Sequence, residues 1–508
     1  MNLEITNREG NCFGTASNVS DIYSKRKDAE IFEQLIDDLI LTKYTDDQDL
    51  IDFIKDLELD EKRIAILALI DGDHALWSKM DAYVGGCSNK MEHIKNVVKI
   101  INQFVKDGEV EKKKFGEVMT PITLVREMLD TLPAEVWSNP NLKWLDPANG
   151  AGTFPFVIIY KLMKGLSEWE PDTEKRYKHI VENMIYVCEL QSRNVFLWLC
   201  GVDPKDEYTT NTYWGSFLEE DFNKHMKEVW NVDKFDIVVG NPPYNTGTSG
   251  GNGARDLWDK FVLKSIDTII EDNGFLIFVH PSKWRSPENE ILNIFKKNNL
   301  IYLEIHSDKD GYSSFGAITR YDFYCLQKSK YNGNTKIVDE KGIVSNINIL
   351  DWEWIPNYNF ESISSLISTD YEKNCEVIYS SSIYDGRKEY MSMMKDKINN
   401  LPCVYGMYKD HTCSYRYSSI DRGHFGIPKV ILGIGRYLYP LIDIDGEFGI
   451  MNNAFGIKIY NNIEGLNIKK AIESEKFKEI IKATKWSNFQ TNYKMFKSFK
   501  NDFWKEFI

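Results

Sequence analysis

A chain of 508 residues that is 43% hydrophobic and 27% charged has the make-up of a folded protein with room for two or three domains. Its formal net charge of −14 excludes a general polyanion binder, so any nucleic-acid contact must depend on where the lysines sit. The eight cysteines never fall at CxxC spacing and the eight histidines are scattered, which argues against a zinc site or a disulfide framework and for a reducing, cytoplasmic location.

The N-terminus lacks a basic region followed by an apolar core, so no signal peptide is read, and no uninterrupted apolar run is long enough to span a membrane. Residues 1–110 are expected to form an acidic, helical N-terminal domain. Ile31, Phe32, Leu35, Ile36, Leu39 and Ile40 recur at helical spacing, and so do Ile94, Val97, Val98, Ile101, Phe104 and Val105. Glu111, Lys112 and Lys113 have a nuclease-like spacing, but no Pro-Asp partner precedes them.

From 111 to 330, β-rich runs alternate with amphipathic stretches. LKWLD (142–146), IYVCEL (185–190), FDIVVG (235–240), FLIFVH (275–280) and IYLEIH (301–306) read as buried strands. Between them, Trp258, Phe261, Val262, Ser265, Ile266 and Ile269 share one helical face. This alternation predicts an α/β domain with a mostly parallel sheet covered on both sides, whose ligands sit at the carboxyl ends of the strands. From 331 to 508, Gly, Tyr and Asn rise and a separate C-terminal domain of short strands is expected, with one helix over Ile468–Lys482 and a late run of Lys482, Lys485, Lys494, Lys497 and Lys500.

Three strand ends carry candidate chemistry. In LDPANGAGTFPF (145–156), a strand ends in Asp146 and Pro147, and Gly150 and Gly152 precede a helix. Glycines let the backbone approach a ligand, and the helix N-terminus adds amide donors. The loop lacks the GK[ST] ending of a phosphate P-loop. Glu189 closes the next strand, where a carboxylate can accept hydrogen bonds from two ribose hydroxyls. The third end, VVGNPPYNTG (238–247), has two prolines that stiffen the exit from a strand. Asn241 and Pro242 offer oxygen acceptors that can hold the two hydrogens of an exocyclic amine, and Tyr244 offers a flat face for stacking.

NPPY, preceded by DPANGAGTF and an acidic strand end, resembles the amino-methyltransferases that use S-adenosylmethionine. FGEVMTP (115–121) and the order of the parts resemble the gamma class of DNA adenine-N6 methyltransferases, found in restriction-modification systems. The resemblance covers residues 111–330 well and the C-terminal part more loosely. It implies a doubly wound, seven-stranded Rossmann-like core followed by a mixed α/β target-recognition domain at 331–508. Thr120 and Pro121 would lie near the methionine end of the cofactor, Asp146, Ala148, Gly150 and Gly152 would form the loop around it, and Glu189 would bind the ribose. Phe217 would pack on the cofactor's adenine. Ser216 stands where the family has Asp, so that contact is weaker, water-mediated or supplied by Asp221. Asn241, Pro242, Pro243 and Tyr244 would form the catalytic clamp on a target adenine flipped out of double-stranded DNA, and Phe315 would either face that base or be an ordinary core residue. Release-factor and ribosomal RNA methyltransferases share NPPY, so an RNA or protein-glutamine substrate is the alternative, as is the methylating part of a bifunctional restriction-modification enzyme. A cognate restriction endonuclease is one partner the class implies, and no metal is required. The glycine-rich stretch NTGTSGGNGARD is expected to order over the flipped base.

Overall fold

The computed structural model describes residues 89–107, 120–203, 207–244, 256–408, 410, 412–435, 438–486 and 491–508, without the side chains of 100–107, 192, 193, 196, 197 and 200. The helix expected around Ile31 and the stretch 245–255 lie outside these residues. Among the described residues, no helix is long and apolar enough to cross a membrane.

The central sheet is built from β1 (Trp144–Asp146), β2 (Ile185–Glu189), β3 (Asn211–Trp214), β4 (Phe235–Gly240), β5 (Ile270–Pro281), β6 (Asn299–His306), β7 (Tyr321–Gln327), β8 (Thr335–Val338) and β9 (Val344–Ile347). They lie in the order 3-2-1-4-5-7-6-8-9. The pairs along 3-2-1-4-5 are all parallel, and β7 runs antiparallel to both its neighbours. The first seven strands therefore make the doubly wound core that was expected. β8 and β9 extend it, β8 parallel to β6 and β9 antiparallel to β8. The expected boundary at 330 thus falls inside the sheet, because Ile337 needs the same hydrophobic layer as Leu303 and both are fully buried.

Burial on both faces explains the unbroken apolar runs: every residue of β2, and all of β4 except Asp236, is buried. The predicted helical face packs as read, with Trp258, Phe261, Val262, Ser265, Ile266 and Ile269 all buried along Trp258–Lys264 and the π-turn that follows it. The helix Lys90–Asp107 also exists, and among the described residues it lies against the helices that cover the sheet. Ile94, Val97 and Val98 join the main core, and the His93 ring bonds Gly201 O at 2.9 Å.

The C-terminal part carries two four-stranded sheets. One pairs β10 (Val377–Ile378), β17 (Ala454–Lys458), β14 (Lys429–Gly433) and β15 (Leu441–Asp443). The other pairs β11 (Met391–Ser392), β13 (Cys413–Ser418), β12 (Leu401–Met407) and β16 (Gly449–Ile450). The single helix expected at Ile468–Lys482 is two, Asn462–Glu473 and Glu475–Ala483. Ser474 breaks it with an extended backbone and caps the second helix by accepting the Phe477 amide. The buried apolar cluster runs without interruption from the sheet into this region through Trp354, Ile355, Phe477 and Phe496. A polar knot crosses the same junction. Arg285 donates to both oxygens of Asp322 at 2.7 and 3.0 Å, to the carbonyls of Ile355 and Pro356, and to Asn357 Oδ1, and both charged side chains are fully buried.

Candidate active site

The strand order places two loops side by side. After β1 the chain winds outward to β2 and β3, then returns to place β4 on the other side of β1. At such a switch point the loops that leave the two central strands diverge and open a crevice. Those loops are 147–152 and 241–244. Their closeness is tight enough that a Cβ on Gly240 would stand 2.8 Å from Asp146 Oδ1.

The glycine loop is held from both sides. Glu189, at the end of β2, accepts the Gly150 amide and the Gln191 amide, each at 2.7 Å. Asp146 Oδ1 accepts the Ala148 amide at 3.0 Å. Gly150 and Gly152 both have positive φ, 55° and 95°. A Cβ at Gly152 would sit 2.6 Å from the Phe156 ring and 2.8 Å from Trp198, so only glycine fits between the loop and the helix Thr153–Gly165. Asp146 is almost fully buried, its Oδ2 has no hydrogen-bond partner, and burial, with the Glu189 charge adding to it, pushes its carboxyl up to about 8.

The second loop carries the Asn-Pro-Pro-Tyr corner. Asn241 Nδ2 donates to Thr120 Oγ1 at 3.1 Å, which ties the corner to the segment just before the helix Ile122–Leu129. Pro121 caps that helix from outside, and its fixed φ of −57° suits the turn. Pro242 is buried, Pro243 exposed and Tyr244 half-buried. The Tyr244 carbonyl accepts the Leu257 amide, which pins the return of the chain from the glycine-rich stretch. The Tyr244 hydroxyl is buried without a partner and burial raises its pKa.

Two aromatic residues sit in the core, which for Phe315 is one of the two readings given above. Phe315 does approach Tyr244, but edge-on at 6.5 Å between centroids, with its own edge against Tyr321. It is buried and props the Tyr244 ring rather than facing it across a slot. Phe217 is buried too, stacked on Phe261 at 5.1 Å with Phe222 against its edge and the Lys264 ammonium 5.1 Å from its centre. It is packed into the core in this state. Ser216 Oγ accepts the Leu218 amide at 3.3 Å, and Asp221 lies in the first turn of the next helix. The sequence reading missed Lys264, whose half-buried ammonium is pushed down to about 8, and Tyr321, which starts β7 beside Tyr244. Neither belongs to a motif; alternation along TRYDFYCLQK was the available signal for Tyr321.

The sheet order, the glycine loop and the Asn-Pro-Pro-Tyr corner define a methyltransferase core. Residues 168–312 match the family model of the Eco57I restriction-modification methylase. An "uncharacterized adenine-specific methylase" of Mycoplasma pneumoniae is 29% identical, over 44% of this chain and 69% of that protein. The modification methylase CviBIII of Paramecium bursaria Chlorella virus NC1A is 25% identical, over 37% of this chain and 44% of its own length. The chain thus spans less than half of the viral relative. Among solved structures, the nuclease-deletion mutant of the Type ISP restriction-modification enzyme LlaGI superposes with a TM-score of 0.46 at 13% identity, covering 92% of this chain and 65% of that one. Residues 168–312 are thus similar to a restriction-modification methylase domain, and the chain is similar to one protein named as an adenine-specific methylase and to one named as a modification methylase.

Proposed function

We propose that this chain is a site-specific DNA adenine-N6 methyltransferase that uses S-adenosylmethionine. One observation carries the reading: the glycine loop of β1 and the Asn-Pro-Pro-Tyr corner of β4 open into the same crevice, so close that a Cβ on Gly240 would stand 2.8 Å from Asp146 Oδ1.

The residues present fit the cofactor. The unpartnered Asp146 Oδ2 suits an ammonium group, and the positive φ of Gly150 and Gly152 turns the loop of Ala148, Gly150 and Gly152 around the crevice. Glu189 holds the loop through both carboxylate oxygens, at the strand end where a ribose would lie. Thr120 and Pro121 would close the methionine end and Ser216 the adenine end, with Phe217 packed in the core behind it. When bound, S-adenosylmethionine supplies an electrophilic methyl group on a positively charged sulfur.

The corner does the rest by position. The target adenine leaves the duplex at a cost of a few kcal/mol, repaid by stacking on Tyr244 and by backbone contacts. Asn241 Oδ1 and the Pro242 carbonyl accept the two hydrogens of its exocyclic amine, which concentrates the nitrogen lone pair for bond formation. Pro242 and Pro243 keep these acceptors from turning away. No general base is needed, since the amine attacks neutral and gives up its proton to water afterwards. Orientation and electrostatics therefore supply the rate. Residues 331–508 would read the site, with double-stranded DNA as the partner. The similarity to a protein named as an adenine-specific methylase favours this reading over the RNA or protein alternatives.

Labelled S-adenosylmethionine offered with duplex DNA, tRNA, rRNA and a release factor tests the assignment. Label on DNA adenine is expected. Label on RNA or polypeptide alone would contradict it.

A further inference from the structure

The turn between β11 and β12 is ordered, yet it holds its apolar side chains in water. The Asp396 carboxylate accepts the amides of Ile398 at 2.7 Å and Asn399 at 2.6 Å, and Ser392 Oγ bonds the Met394 amide at 3.1 Å and its carbonyl at 2.8 Å. The base of the turn is pinned to β13 through Met391–Ser418 and Ser392–Tyr417 pairing. On this frame Met393, Met394 and Ile398 are 72%, 76% and 73% exposed. A cluster of large apolar groups on a preformed turn gains free energy only when something covers it.

The charge around the cluster points to what does. Lys388, Lys395 and Lys397 are exposed and make no ion pair among the described residues. The late lysines behave differently: Lys482 is held by Glu479, Lys494 and Lys497 by Glu288, and Lys500 by Glu372. In a chain of net charge −14, unneutralised ammonium groups flanking methionines are complementary to a duplex, whose phosphates line a groove floored by base edges.

We propose that Met391–Asn400 is a DNA-reading finger, with Lys395 and Lys397 on phosphates and Met393 and Met394 against base steps in the groove. The inference rests on the DNA-methyltransferase reading and names which part of the C-terminal region makes that contact. It also moves the nucleic-acid surface away from Lys482, Lys494, Lys497 and Lys500, which already have carboxylate partners.

The test uses the full chain and two double variants, K395A/K397A and M393S/M394S, all at exposed positions. Binding to a fluorescein-labelled random duplex is measured against salt, methylation of genomic DNA is mapped by sequencing, and oligomeric state is followed by light scattering. K395A/K397A should lower the slope of log affinity against log salt by about 2, roughly 0.9 per lost phosphate contact. M393S/M394S should change random-duplex affinity by less than about threefold but cut methylation about tenfold or spread it to further sites, as lost base contacts do. Unchanged slope and unchanged sites in both variants would overturn the finger. So would a parent chain that binds no duplex, or a methionine variant that changes only self-association. A parent that binds duplex yet methylates no adenine would refute the functional reading instead, and the salt slope would still judge the finger.

Discussion

Replacing Asp146 by Asn should make the protein more stable and a poorer binder of its cofactor at once. Burial lifts the Asp146 carboxyl to about 8, against 3.8 for the ordinary group. The native state keeps the proton through neutral pH, whereas the unfolded chain releases it near 4. The stability this proton brings is fully present below pH 4 and drains away as the pH climbs toward 8. At about 1.4 kcal/mol per pH unit, the loss by pH 7 is roughly 4 kcal/mol. Asn escapes that loss. It keeps an oxygen for the Ala148 amide, but its amide group faces the place of the unpartnered Oδ2, which costs about 1–2 kcal/mol. The net gain at pH 7 is therefore about 2–3 kcal/mol, growing between pH 4 and 8. Urea unfolding at pH 5, 6, 7 and 8 measures it. Titration calorimetry with S-adenosylmethionine should show affinity falling at least about tenfold, because Asn cannot ionise beside the cofactor's ammonium group as Asp146 would, and the charge-assisted hydrogen bond is lost. A variant no more stable than its parent at pH 7, or a gain indifferent to pH, would refute the reasoning.

Asn241→Ala should abolish transfer while leaving cofactor binding nearly intact, measured by label incorporation and calorimetry; loss of both together would deny the clamp role. Tyr244→Ala should slow transfer and weaken base flipping, read from 2-aminopurine fluorescence at the target position, and an unchanged signal would count against stacking. Arg285→Met strands the buried Asp322 charge, so unfolding free energy should drop by about 3–5 kcal/mol, with the C-terminal helices loosening together with the sheet in hydrogen exchange. Gly152→Ala should impair cofactor binding, since its methyl would meet Phe156 and Trp198 at a backbone angle that favours glycine.

The parts of the fold that show plainly in the sequence are those where period and burial agree. The stretches 185–188, 237–240 and 276–279 are buried on both faces, so they carry no charged residue. Trp258 to Ile269 covers one sheet face, so its apolar residues recur at helical spacing. β3 and β7 were not read as strands. Asn211–Trp214 is short and polar, and Tyr321–Gln327 buries Asp322 against Arg285, a partner 37 residues away that no local pattern reveals. The boundary at 330 failed for a related reason: a rise in Gly and Asn marks turns, and β8 and β9 pair to the sheet through backbone bonds that composition does not record.

At the site, motifs gave the right neighbours and less of their geometry. Asp146, Gly150, Gly152, Glu189 and Asn241 gather at one crevice, because each ends or follows a parallel strand on the same edge. The aromatic partners were harder. Whether Phe217 and Phe315 face a ligand or the core depends on Phe261 and Tyr321, which come from distant segments. The partners of Lys494, Lys497 and Lys500 are likewise distant in sequence, Glu288 for the first two and Glu372 for the third.

The most direct measurement is modified-base sequencing of DNA from cells that express the protein, set beside DNA from cells that express Asn241→Ala. The account predicts N6-methyladenine within one short sequence motif, and its disappearance in the variant. DNA without modified adenine, or a motif methylated equally well by the variant, would contradict it.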